Sequence, residues 1–479
     1  MSSSRRAAAI LGVMALALPA VASAHGFGRL YNLPVPFWLY AWGASAALLV
    51  SFVIAGYFMS APAGTAASAE RNLGRAPQGL LTILKGLSTG ALLLCMATGF
   101  FGTRDPYRNF SMTAFWVLFV LGFAYLTVLI GDVYAEINPW RVLSGTLGPF
   151  ARGRFSYPAR LGDWPALAFY MTFIGYELYN HGHPSGLATA LLAYTAINFA
   201  GVALVGTDAW FRHCEFFSVF LRLVGLMAPI GWRNGANGSL KLRTPFSALA
   251  RERPRHVSTV VFALFMLAST TFDGLRATQW WVGLFWGDQS SLGRLISGDR
   301  PVLSQAALLP WYIRWEVLWL IASPFLYLGA YVAALALAKT IARSPQPLRE
   351  LALDFGYTLL PIALVYNVTH YATLLLSQGP KIVTLVSDPF GFGWNVLGTA
   401  EWFHYPILPP LGLVWHAQVA LILLGHIVSV CVAHAVALRV FPTRRQALLS
   451  QIPMLALMVG FTVAGLWILA QPLTELLMR

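Results

Sequence analysis

Charge is what this sequence has least of. Only 10 % of its 479 residues are Asp, Glu, Lys or Arg, where a soluble domain carries about 25 %. So few charges cannot cover a water-facing surface. With 57 % hydrophobic residues and a mean hydropathy of +0.64, the chain reads as a polytopic membrane protein whose partner is the lipid bilayer. Negative charge is scarcer still, 18 acidic residues against 32 basic ones. In a soluble chain that excess would suggest nucleic acid. Here it is what the cytoplasmic loops of a membrane protein require, so no nucleic-acid partner is expected. Cysteine is nearly absent: Cys95, Cys214 and Cys431 are too few and too scattered for a disulfide framework or a thiolate metal cage.

Several motifs are missing as well. There is no Gly-rich phosphate loop and no Cys-x-x-Cys-His haem attachment site, which removes a soluble ATPase or c-type cytochrome domain. There is no His-Glu-x-x-His pair, no internal repeat and no low-complexity tail.

What is present begins with a basic start, "MSSSRR", a short apolar core, "AAAILGVMALALPAV", and the small-residue signature "ASA" ending at Ala24. Residues 1–24 therefore read as a cleaved signal peptide, leaving 25–479 as one transmembrane helical domain. Cleavage would expose His25 as an N-terminal residue, whose amine and imidazole form a bidentate copper site.

Apolar stretches of about 20 residues occur ten times after the leader, near 36–58, 79–101, 111–131, 164–181, 186–206, 257–275, 315–338, 352–376, 410–438 and 449–471. The expected fold is thus all-α, a polytopic bundle of about ten spans. With the mature N-terminus outside, the inside loops hold 20 of the 32 Lys and Arg and the outside segments nine. That bias follows the positive-inside rule and puts the C-terminus outside the bacterial inner membrane too. Near 208–228, Phe216, Phe217, Phe220 and Leu221 alternate with Arg212, Glu215 and Arg222, the pattern of an amphipathic helix on the inner interface. The outer loops 276–314 and 378–408 are rich in Trp, Gly and Pro and long enough to be lids.

Ionisable groups inside spans are costly and face the bundle interior. At about 1.5 Å per residue, His416 lies about 9 Å below the outer end of the ninth span and His370 at a similar depth in the eighth. Glu177 is near the outer end of the fourth, with His181 and His183 at its mouth, and Asp273 near that of the sixth. Two imidazoles and two carboxylates at one level suit a divalent metal such as Zn or Mn. They equally suit a proton relay or buried hydrogen bonds. His434 is about 27 Å along the helix from His416 and cannot share a metal with it; His426 lies between. A haem pair would need histidines on a second helix at both levels, and only His370 offers one, with His213 near the inner interface.

The segments "HGFGRLYNLPVPFWLYAWGA", "EINPWRVLSG", "CEFFSVFLRLVGLMAPIG", "TTFDGL", "DPFGFGWNVLGT" and "HIVSVCVAHAVALRVFPTRRQALLSQIPMLALMVGFTVAGLWILAQP" together resemble a bacterial membrane-protein family commonly labelled fenitrothion hydrolase. The resemblance runs over nearly the whole mature chain. It implies hydrolysis of an apolar phosphotriester, which needs an activated water and a Lewis acid on the phosphoryl oxygen. On that reading Glu177 and Asp273 are the candidate catalytic carboxylates and His370 and His416 the candidate ligands of Zn or Mn, while His25, the candidate ligand of Cu, favours a metal-handling role instead. The alternative is a transporter, or a copper-handling or redox membrane protein, that uses the same groups as ligands or relay. A hydrolase needs only the outer cluster, whereas a conduit also needs groups at the inner level. No residue names a partner subunit.

Overall fold

The computed structural model describes residues 36–59, 70–180, 182–233, 239–403, 406 and 409–471. The expected signal peptide, His25 and His181 lie outside the described residues. The chain is an all-α polytopic membrane bundle. Among the described residues nine helical segments are long and apolar enough to cross a bilayer. We number the main helices α1 (Phe37–Phe58), α2 (Gln78–Phe101), α3 (Phe110–Ile130), α4 (Trp164–Tyr179), α5 (Pro184–Val205), α6 (Phe216–Gly225), α7 (Val257–Arg276), α8 (Gln305–Ile341), α9 (Leu360–Gln378), α10 (Leu411–Val440) and α11 (Arg444–Ala470). The expected fourth span is α4, whose sixteen residues reach about 24 Å, short of a bilayer core.

Contacts between connections separate the two ends of the bundle. At one end β1 (Arg71–Arg75) joins β2 (Ile230–Arg233) and β3 (Ser239–Leu242) in an antiparallel sheet of order β1-β3-β2. Arg439 reaches the Ala250 carbonyl and Arg444 the Gly56 carbonyl at the same end. At the other, Thr103 N donates to Phe390 O and the Lys381 ammonium lies over the Tyr107 ring. The alternation matches the one expected from loop charge. We call these the basic end and the far end.

Helix α7 is the hub. It packs on α4, α8, α9 and α11, and seventeen of its twenty residues are buried. Its mean hydropathy, 1.5, is below the 1.8 of α1, which is mostly exposed. The inversion is physical. A helix facing lipid must be apolar all round, while one shielded by neighbours can carry Ser269, Thr270 and Asp273.

Two expectations need correction. The segment near 208–228 does not lie on the surface: α6 enters the bundle from the basic end, with Phe216, Phe217, Val219, Leu221, Leu223 and Val224 buried against α3 and α4. An apolar face and a buried cap, not a polar face toward water, organise it. The stretch 276–314 is not an open loop. Short helices Gln279–Trp286 and Leu292–Ser297 fold beside α8, which begins at Gln305, and Phe285, Trp286 and Tyr312 form a small core of their own there.

Close helix approach is sharpest at Gly465 of α11, where an added Cβ would overlap the Tyr366 phenol. The Tyr366 hydroxyl donates to Phe461 O at 2.8 Å in the same helix. Gly465→Ala should therefore lower stability by about 1–3 kcal/mol through overpacking, read as thermal unfolding in detergent. Gly460→Ala is the control, because nothing lies near that position; equal behaviour of the two variants would sink the argument.

Candidate functional site

Four interior helices bring their polar residues together toward the far end. Asp273 of α7 sits one turn from Arg276, and both side chains are more than nine-tenths buried. His370 and Tyr371 are consecutive on α9 and approach the same carboxylate: His370 Nε2 lies 2.9 Å from Asp273 Oδ2, and the Tyr371 hydroxyl donates to that oxygen at 2.8 Å. Arg276 turns toward α8, where its Nη2 and Nε donate to Glu316 Oε2 and Oε1 at 3.1 and 3.4 Å. Trp281 Nε1 adds a third donor to Glu316 at 3.3 Å. Arg276 Nη1 stands 4.0 Å from Asp273 Oδ1, so one guanidinium links two buried carboxylates.

Beside this network lies a cavity of about 40 Å³, room for about three waters. Its polar lining includes Glu177, Ser269, Thr270, Asp273, Asn367 and Tyr371, and its aromatic lining Phe119, Tyr170, Phe173, Phe216, Phe217 and Phe220. Helix α6 supplies the last two phenylalanines together with Phe216 and Leu221, so it closes the cavity toward the basic end. The middle of α3, Thr113–Phe123, is wound as a π-helix; three consecutive residues, Phe119, Val120 and Leu121, reach the cavity from it. Wider π turns recur at functional sites. A second cavity of about 10 Å³, lined by Thr271, Gly274, Thr369 and His370, holds about one water. The Asp273–His370 pair stands between the two.

The sequence places Glu177, Asp273 and His370 at one level, and the structure brings them together. It does not bring His416 to them. The His416 ring is exposed, bonds the Gly412 carbonyl of its own helix at 2.7 Å and lies edge-on to Tyr40 of α1. The helix rotates it off the inner face, while Trp415 and Gln418 turn inward, Gln418 donating to Thr369 O at 2.7 Å. Among the described residues no three His, Cys, Asp or Glu are grouped to hold a metal ion.

His426 is buried with Nδ1 on the Ile422 carbonyl at 2.8 Å. His434 receives Gln451 Nε2 at 3.0 Å and contacts Met59 O at 3.3 Å, tying α1, α10 and α11 at the basic end. Sequence reasoning missed Arg276, Glu316, Tyr371 and Asn367. The first two had a signal: Asp273 and Arg276 are spaced to share a helix face, and Glu316 is an acid just inside an apolar span.

The basic end carries a second polar cluster. Glu215 is fully buried and caps α6 by accepting from Phe217 N and Ser218 N at 3.2 and 2.7 Å. The Tyr194 hydroxyl donates to it at 2.5 Å and Asn138 Nδ2 at 3.2 Å. Burial pushes its carboxyl above the usual range, against the lowering by the Ser218 and Tyr194 side chains and the two backbone amides. Two of the quoted segments, "EINPWRVLSG" and "CEFFSVF", meet at the Asn138–Glu215 bond. Nearby, Asp163 binds His213 Nδ1 at 2.7 Å and the Thr259 hydroxyl at 2.5 Å. Burial opposes its charge, but these bonds and Arg222 hold its carboxyl below the usual range.

Comparison with family models, curated proteins and solved structures finds no match to this chain.

Proposed function

We propose that this chain is a transport protein of the bacterial inner membrane that carries protons through its interior, with Asp273, His370 and Glu177 as the exchange groups. The observation behind this reading is the Asp273–His370 hydrogen bond, which stands between the two water-sized cavities while Glu177 lines the larger one. Ion-pair contacts tie Asp273 to His370 and Arg276, and Arg276 to Glu316. An imidazole hydrogen-bonded to a carboxylate can pass a proton along that bond. Membrane carboxylates and histidines arranged this way mark proton pathways. Loop charge supports a cytoplasmic basic end with both termini outside.

A second reading follows the resemblance to fenitrothion hydrolases. It is favoured by the Asp273–His370 bond, which orients an imidazole as a general base beside a cavity able to hold water. An aryl phosphotriester would arrive through the bilayer. It needs a pocket of roughly 300 Å³ or more, so the walls would have to part. The described residues offer no ligand set for the Zn, Mn or Cu such chemistry uses, and the base alone carries this reading.

One preparation separates the two. Purified protein is reconstituted into vesicles containing a pH-sensitive dye, and a potassium diffusion potential is applied. The transport reading expects proton entry at least tenfold above empty vesicles. Flux no faster than empty vesicles, with release of nitrophenolate from diethyl 4-nitrophenyl phosphate that His370→Ala abolishes, would replace it by the hydrolase.

A further inference from the structure

We infer that the proton route continues past the cavity to the basic end, where Asp132 exchanges protons with that side and the Tyr134 hydroxyl links it to the cavity. The inference rests on the proton transport proposed above and names the residues that complete it.

Asp132 stands just beyond α3. Gly131 makes the turn at φ 80°, beneath the Ile230 carbonyl, where a side chain would collide. Gly225, at the end of α6, packs on the Asp132 backbone so closely that a Cβ would lie 2.8 Å from its nitrogen. Asp132 is thus wedged between α3 and the helix that closes the cavity. It is half-buried, and its carboxylate accepts a bond from Ala135 N at 3.2 Å. The charged groups near it are Arg222 on α6, Glu215 at the start of α6 and Glu136 on its own segment.

Tyr134 is the independent observation. It is 1 % exposed, and its hydroxyl has no hydrogen-bond partner among the described residues. Its ring packs on Phe119 and Phe123 at 5.9 and 6.1 Å, and Phe119 is part of the cavity wall. A buried hydroxyl without a partner is costly to keep. A tyrosine here is explained if water from the cavity reaches it, since waters in polar pockets bond such groups. Its surroundings fit a relay. Burial, with the nearby charges of Glu215 and Asp132, pushes the phenol well above its usual range, so it works as a neutral hydroxyl. Burial raises the Asp132 carboxyl to about 6 against the lowering by Arg222, which lets it load and unload near neutral pH. In the transfer, a water between the two takes the Tyr134 hydroxyl proton as it gives one of its own to the Asp132 carboxylate, and Tyr134 is reprotonated by hydronium on its cavity side. The phenol is unchanged after each passage, and Asp132 releases the proton to the basic side.

The test uses the full chain in dye-loaded vesicles. Tyr134→Phe removes only a hydroxyl that bonds no described residue, so its unfolding temperature should equal or exceed the wild type's while proton flux falls at least tenfold. Asp132→Asn keeps an acceptor for Ala135 N and should lose flux to the same extent, with Asp132→Glu recovering part of it. If Tyr134→Phe and Asp132→Asn conduct like the wild type while Asp273→Asn is inactive, this inference is overturned and the transport reading stands. A wild type that moves no protons overturns both. Should Asp132→Asn fail to fold, Tyr134→Phe alone decides.

Discussion

Asp273→Asn is expected to leave a folded protein whose proton flux is at least a hundredfold below the wild type. The asparagine has nearly the same shape, and its Oδ1 can still accept from the Tyr371 hydroxyl that bonds Asp273 at 2.8 Å. What it lacks is an exchangeable proton and a negative charge facing His370, 2.9 Å away. His370 then loses the carboxylate it is bonded to, and the step between the two cavities has no acceptor. Fold stability should drop by about 1–3 kcal/mol, the scale of a lost charged hydrogen bond, because Arg276 keeps both contacts to Glu316. Asp273→Glu retains the carboxyl and should recover part of the flux. Proton flux in vesicles and thermal unfolding in detergent check the two halves separately. An asparagine variant within twofold of the wild type would remove Asp273 from the route.

Glu316→Ala should cost more stability than any single change considered for this protein, about 3–5 kcal/mol, because it strands a buried guanidinium. Arg276 makes two bonds to this carboxylate, at 3.1 and 3.4 Å, and Trp281 Nε1 adds a third. Glu316 itself is 1 % exposed. With it gone, Arg276 keeps the looser Asp273 contact at 4.0 Å and its place over the Tyr179 ring, and should draw that carboxylate away from His370, so flux falls with stability. The energetics of buried ion pairs predict a rescue. Replacing both partners by leucine, Arg276→Leu with Glu316→Leu, should recover most of the lost stability, since an apolar pair avoids the desolvation penalty. Flux should not return, because the guanidinium beside Asp273 is gone. Unfolding of the single variant within about 1 kcal/mol of the wild type would mean that the pair holds nothing together.

The level of each polar group was legible in the chain because depth along a transmembrane helix is a matter of counting residues. Glu177, Asp273 and His370 are assigned one level that way, and they line or border the same pair of cavities. Rotation about the axis is a different quantity. His416 has the right depth and the wrong face, beside Tyr40, because α10 is apolar nearly all round and its sequence contains no stripe to mark an inner side. The same limit hid the role of α6. Its phenylalanines alternate with charges as on a surface helix, yet Glu215 is consumed as a buried cap by Asn138, Tyr194 and two backbone amides. Once the charge is satisfied internally, the helix can be buried.

Composition alone determined the class: too little charge for a water-soluble surface, apolar runs of bilayer length, and basic residues gathered in alternate loops. These are one-dimensional properties, set by what lipid and water each accept. Which helix became the hub, which of the intramembrane histidines found a carboxylate, and where a cavity opened were decided only by packing. In a bilayer the solvent is as apolar as the side chains, so hydropathy does not distinguish a face turned to lipid from one turned to a neighbour. Close approach at glycines and the pairing of a few buried polar groups make that choice, and both depend on residues far apart in the chain, as Asp273 and His370 are.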